Sequence, residues 1–201
     1  MWLVTPIFAL AMLTACAGVG IVATSDPLAK LNDAEDLFMR QDRPLPAERL
    51  IREAIAIYEE RNDSHGLGNA HREYGDLLRS PAILKWENVY RRDGFQNKSI
   101  TFENRFEKAA DFYREALDYY GRAEQQHKQA AKYDELTNVY FNMAWSSYRL
   151  DQRDKACTYY DQAVQAYNEN LRLNPSAKPY VPPGRGSFAQ FIEGQKRRVG
   201  C

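Results

Sequence analysis

Between Pro46 and Asn62 the apolar side chains Leu50, Ile51, Ala54, Ile55 and Tyr58 recur every three or four positions, which gathers them on one face of a helix. The same spacing returns along the chain, interrupted by turn-forming residues, and this limits the fold to helices that bury one stripe each. Asp26-Pro27 supplies a first helix start, a carboxylate to accept from free N–H groups and a proline where a missing N–H costs nothing. Leu28, Leu31, Leu37 and Phe38 follow. Arg43-Pro44-Leu45-Pro46 ends that helix, with Pro46 opening the next, and Asn62 to Gly66 closes the second. A third helix is expected over Leu67–Arg79. The stretch 81–100 is irregular, with a short helix through Trp86 and Tyr90 and a polar loop at Arg91-Arg92-Asp93-Gly94. Helices then span about Phe102–Gln126, Lys132–Leu150 and Asp154–Leu173. Asn174-Pro175 breaks the pattern, Pro179, Pro182, Pro183, Gly184 and Gly186 form an extended segment, and Ser187 caps a terminal helix.

The length, 201 residues, suits one domain with a sizeable core. With 27 basic and 27 acidic residues the net charge is zero, which argues against electrostatic capture of nucleic acid.

The first twenty-five residues carry no charge and are a separate physical object. An apolar run from Trp2 to Leu13 ends in the small residues Thr14-Ala15-Cys16-Ala17-Gly18, the pattern of a secretory signal. Leu13-Thr14-Ala15-Cys16 resembles the lipobox of bacterial lipoproteins. The resemblance implies a signal peptide over 1–15, cleavage before Cys16, and diacylglycerol and acyl chains on Cys16, with several chains anchoring more firmly than one. Residues 16–25 would be the lipidated N-terminus and linker. The chain departs from that family in having no Lys or Arg before the apolar run. A transmembrane helix is the alternative for this stretch, which reaches the roughly 20 residues a bilayer requires, although Gly18 and Gly20 weaken it. In the same family an aspartate after the cysteine favours inner-membrane retention in some bacteria. Ala17 stands there, which implies the periplasmic face of the outer membrane.

The pair of helices expected over about Lys132–Leu150 and Asp154–Leu173 resembles a tetratricopeptide repeat. Tyr140, Met143 and Ala144 occupy the aromatic, leucine and glycine places of the first helix; Ala156, Tyr160 and Ala163 fill the small, aromatic and small places of the second. Ser147 replaces a usual aromatic, with Tyr148 beside it, and Asn168 stands where a proline is usual. A weaker unit pairs His71, Tyr74, Gly75 and Leu78 with Ala109, Tyr113 and Ala116. The weakest carries Ala47, Ile51 and Ala54 after Ala34. The leading alanines Ala47, Ala109 and Ala156 are 62 and 47 residues apart, against about 34 in a regular array. The resemblance therefore implies an all-α, right-handed solenoid of antiparallel helix pairs. Three divergent repeats with an insertion occupy 26–173, and 174–201 forms a Pro/Gly-rich segment and C-terminal capping helix.

Solenoids of this kind bind peptides or helices in the groove lined by the first helix of each pair. Carried over, the groove face of the best repeat is Asn138, Phe141, Asn142, Trp145, Tyr148 and Arg149, a composition suited to binding hot spots; Phe141 and Trp145 serve equally well as core. The thirteen tyrosines read as packing residues with a wet hydroxyl. In an oxidising compartment Cys157 and Cys201 either form a disulfide or stay a packing residue and a free thiol. The tail residues Phe188, Phe191 and Ile192 are expected to cap the open end of the solenoid, with Lys196-Arg197-Arg198 solvated. The three histidines, His65, His71 and His127, make no pair at ligand spacing. No phosphate loop and no nucleophile elbow occurs. The reading is therefore no enzyme, no cofactor and no metal: a lipid-anchored periplasmic adaptor or assembly factor whose partner is another envelope protein, with no nucleic acid and no small-molecule substrate. An immunity or inhibitor lipoprotein that neutralises a toxin or hydrolase is the alternative, and an envelope enzyme stands behind both.

Overall fold

The computed structural model describes residues 24–176 and 186–201. Cys16, the proposed signal peptide and most of the linker lie outside them, as does most of the Pro/Gly-rich segment. The described residues are all-helical: α1 (Pro27–Met39), α2 (Pro44–Glu60), α3 (Ser64–Arg79), α4 (Pro81–Lys85), α5 (Glu87–Asp93), α6 (Arg105–Gln129), α7 (Tyr133–Arg149), α8 (Arg153–Leu173) and α9 (Phe188–Val199). None of these helices is long and apolar enough to cross a membrane.

Three helix starts follow from capping chemistry. Asp26 accepts from the Leu28 N–H, Asp63 from that of Gly66, and Ser187 from that of Gln190, at 3.0, 2.9 and 3.1 Å. Three starts differ by two residues or more from the sequence expectation: α6 begins at Arg105 rather than near Phe102, and two others begin earlier than expected. Helix α2 begins at Pro44, not Pro46, because a proline in the first turn sacrifices no hydrogen bond. Helix α3 begins at Ser64, not Leu67, because the Asp63 cap draws the chain into the helix early. The turns at α1–α2, α2–α3, α6–α7 and α7–α8 each contain one residue with positive φ, respectively Asp42, Asn62, Ala131 and Asp151. Asp and Asn accept that conformation more readily than most residues; Ala131 is the exception.

The helices pack in couples: α1 with α2, α3 with α6, and α7 with α8. Neighbouring couples join through α2–α3 and α6–α7, while α1, α3 and α7 also touch in succession. Small residues set the close approaches. The leading alanines Ala47, Ala109 and Ala156 are fully buried, as are Ala54, Ala116 and Ala163. Gly75 and Gly68 of α3 face the rings of Tyr113 and Tyr120 of α6; a Cβ at either glycine would sit 2.8 or 2.6 Å from ring carbon, so only glycine fits.

The segment between α3 and α6, irregular in sequence, is built into the core. Phe95, Ile100 and Phe102 are buried, and Phe95 stacks on Tyr90 at 4.2 Å. The buried Glu48 of α2 holds this loop by accepting from the Gln96 N–H at 2.8 Å and from the Tyr74 hydroxyl at 2.7 Å. Burial raises the Glu48 pKa, and these donors oppose the rise.

At the other end α9 packs on α8. Phe188 stacks on Tyr167 at 4.8 Å, Lys196 pairs with Asp161 at 2.7 Å, and Cys201 is disulfide-bonded to Cys157. The Lys196 side chain is thus paired, where a solvated basic face was expected.

Candidate functional site

Helices α1, α3, α7 and α9 enclose a cleft of about 550 Å³. Glu35, Phe38 and Met39 come from α1; Arg72, Glu73, Asp76 and Arg79 from α3; Phe141, Asn142, Trp145 and Arg149 from α7; Phe191 and Gln195 from α9. Four of the six groove residues picked from the sequence thus line it. Asn138 is exposed elsewhere on α7, and Tyr148 reaches the cleft only through its ring contact with Trp145, 6.0 Å between centroids. Neither lines this cleft: Asn138 shares the face of Asn142 and Trp145 but sits a turn nearer the start of α7, and Tyr148 is rotated to the edge of that face.

The floor of the cleft is organised by Asp76. Its carboxylate accepts from the Tyr113 hydroxyl at 2.8 Å, the Trp145 indole at 3.1 Å and Arg72 at 2.8 Å, and Arg149 lies 3.2 Å away. One side chain of α3 thereby ties α6 to α7. Arg149 also lies over the Trp145 ring, 4.5 Å from its centroid. Arg72 reaches sideways to the buried Glu73 at 2.7 Å. Burial pushes the Glu73 carboxyl up to about 7; Arg72 opposes this, and Asp76 and Glu35 add to it. Burial alone would lower Arg72, but Glu73 and Asp76 outweigh it and the guanidinium is held charged. Deeper still, Asn69 accepts from Tyr120 at 2.9 Å and from Asn142 at 3.0 Å.

The apolar wall is Phe141, which packs against Tyr160 of α8 and Phe191 of α9 at 5.9 and 5.6 Å. The C-terminal helix therefore furnishes part of the cleft. Sequence reasoning assigned it only to the end of the molecule, because nothing in its spacing shows which side of α8 it takes.

A second cluster lies where α3 and α7 begin and α6 ends. His65 Nδ1 stands 3.3 Å from Glu135 Oε2, and the ring of His127 meets that of His65 edge to face with centroids 5.3 Å apart. Burial, together with His65, lowers the His127 pKa, while a hydrogen bond with His65 leads the lowering at Glu135. No sequence pattern points to this cluster, since its members sit at unrelated spacings in three helices.

Compared with known protein families, with curated proteins and with solved structures, the chain has no match. The functional reading therefore stands on the chain's own residues.

Proposed function

We propose that this protein is a lipid-anchored periplasmic interaction module, an adaptor or assembly factor that holds a segment of an envelope protein in the cleft. The observation that carries the reading is the make-up of that cleft. The first helix of each couple contributes to it, as in the groove of a helical-repeat solenoid. It presents exposed Met39 and Arg79 at the rim and half-buried Trp145 and Arg149 on the floor, residue types that dominate binding energies at protein interfaces. The repeat reading gains support from the succession of couples and from α3 and α6, where Gly75 meets Tyr113 and Gly68 meets Tyr120, the register of helices running in opposite directions. In the anchor reading, Cys16 carries the lipid and residues 17–25 set the domain off from the outer-membrane leaflet.

The test changes the rim and leaves the floor intact. Met39→Asp with Arg79→Glu alters two exposed side chains. The expected result is that one envelope protein, cross-linked and purified with the wild-type chain, is lost at least tenfold in the double variant, with helicity unchanged. Equal recovery from both chains would overturn the cleft as the binding surface. A toxin or hydrolase as the recovered protein would select the inhibitor reading instead. Cys16→Ser should abolish incorporation of labelled palmitate and release the chain from the membrane fraction.

A further inference from the structure

The cluster at the junction of α3, α6 and α7 has the composition of a metal site. One ligand atom from each of His65, His127 and Glu135 lies within 4.8 Å of the other two. The 3.3 Å between His65 Nδ1 and Glu135 Oε2 matches the separation of about 3.3 Å that two ligands with bonds near 2.0 Å adopt around a tetrahedral ion. With His65 turning Nδ1 to Glu135, the third donor is His127, whose Nε2 is buried and without a hydrogen-bond partner. Buried imidazole nitrogens are usually satisfied, so an orphan beside this pair calls for an explanation. The surroundings favour a cation: His127 is in the last turn of α6, whose C-terminal end is negative, and Asp63 adds its charge. Lys132 is the one cation acting on both His127 and Glu135, and its flexible side chain can turn away into solvent.

We infer that His65, His127 and Glu135 bind a divalent transition-metal ion of the zinc class. Two imidazoles and a carboxylate are borderline-soft donors that suit Zn²⁺ and disfavour Ca²⁺ or Mg²⁺, which take all-oxygen shells. Three protein ligands leave a fourth position to water. Because each ligand comes from a different helix, the ion clamps α3, α6 and α7 at the end where their termini meet. This inference is independent of the cleft: none of its three residues lines it.

The experiment uses the full chain in detergent, free of any histidine tag, stripped with a chelator and titrated with Zn²⁺. The result expected is one equivalent bound, a rise in Tm, and visible absorption of a four-coordinate ion on substitution with Co²⁺. His127→Gln and Glu135→Gln should each lower Zn²⁺ affinity at least about 100-fold, beyond the 10- to 100-fold that loss of a merely supporting partner costs. His71→Gln, which changes a histidine facing Glu115, should leave it unchanged. Glu135 is part-exposed, so its variant keeps the test valid if His127→Gln fails to fold. Absence of Zn²⁺ binding by the wild-type chain would overturn the inference, as would unchanged affinity in Glu135→Gln.

Discussion

The two halves of the core are built of different material. From α1 to the start of α6, the interior is filled with branched and aromatic side chains: Leu31, Phe38, Leu50, Ile51, Leu77, Leu78, Ile83, Phe95 and Ile100 are all buried. From the middle of α6 to α9, Leu136 is the one buried leucine of the described cluster against six in the first half, and alanines at 116, 123, 144, 163 and 166 pack with the rings of Tyr120, Tyr140 and Tyr160. Alanine lets backbones approach closely but removes little apolar area from water, at about 25 cal/mol per Å². The second half compensates by other means. It binds Tyr140 to Glu124 at 2.9 Å, packs Phe188 and Ile192 against α8, and closes the Cys157–Cys201 disulfide. Between the halves stands Asp76, which belongs to α3 and receives donors from α6 and α7. The lesson is that one chain can reach stability by volume in one place and by connection in another.

Four variants would sharpen or break that comparison. The largest effect is expected of Asp76→Ala, which removes the acceptor of Trp145 and Tyr113 and the anion beside Arg149, leaves Arg72 with Glu73 alone, and should cost about 3–5 kcal/mol. Calorimetry should then resolve two transitions where the wild type shows one; a single transition at lower temperature would mean that the halves are coupled elsewhere. Next is Cys157→Ser, which opens a loop with a sequence separation of 44, a loss of up to about 4 kcal/mol. Hydrogen exchange should quicken in α7–α9 and stay unchanged in α1–α3. Equal loss of protection in both would refute the division. Gly75→Ala gains about 1 kcal/mol in helix propensity but drives its Cβ into the buried Tyr113 ring; the net should be a loss of about 1–2 kcal/mol, seen in the denaturant midpoint.

The fourth effect is read against pH rather than at one condition. The carboxyl of Glu73 has its folded pKa raised from 4.5 to about 7, so the stability linked to it is present below pH 4.5 and is lost as pH rises through 7. Relative to wild type, Glu73→Gln should therefore gain about 3 kcal/mol between pH 4.5 and pH 8, measured as the difference of the two unfolding curves. A parallel pH dependence in both chains would place the titration elsewhere.

Much of the architecture was legible because it is local. Helix starts follow from Asp26 and Ser187, whose side chains accept from the turn just ahead, and the buried alanines follow from three- and four-residue spacing. Part of the cleft was legible too, since Phe141, Asn142, Trp145 and Arg149 share a helix face. What escaped is what depends on distant partners. Asp76 looks like any surface acid on a helix until Tyr113 and Trp145 arrive from two others. Phe191 and Gln195 join the cleft only through the docking of α9. His65, His127 and Glu135 share no period at all, and the extent of the cleft, which leaves out Asn138 and Tyr148, is set by neighbouring helices.

The disulfide has a consequence for how the protein responds to cutting. It turns the backbone from Cys157 to Cys201 into a covalent ring that takes in most of α8, all of α9 and the segment joining them. One peptide bond severed anywhere in that ring opens it without freeing a fragment. A nicked molecule would run as a single species until reduced, and α9 would stay tethered to the cleft it helps to wall.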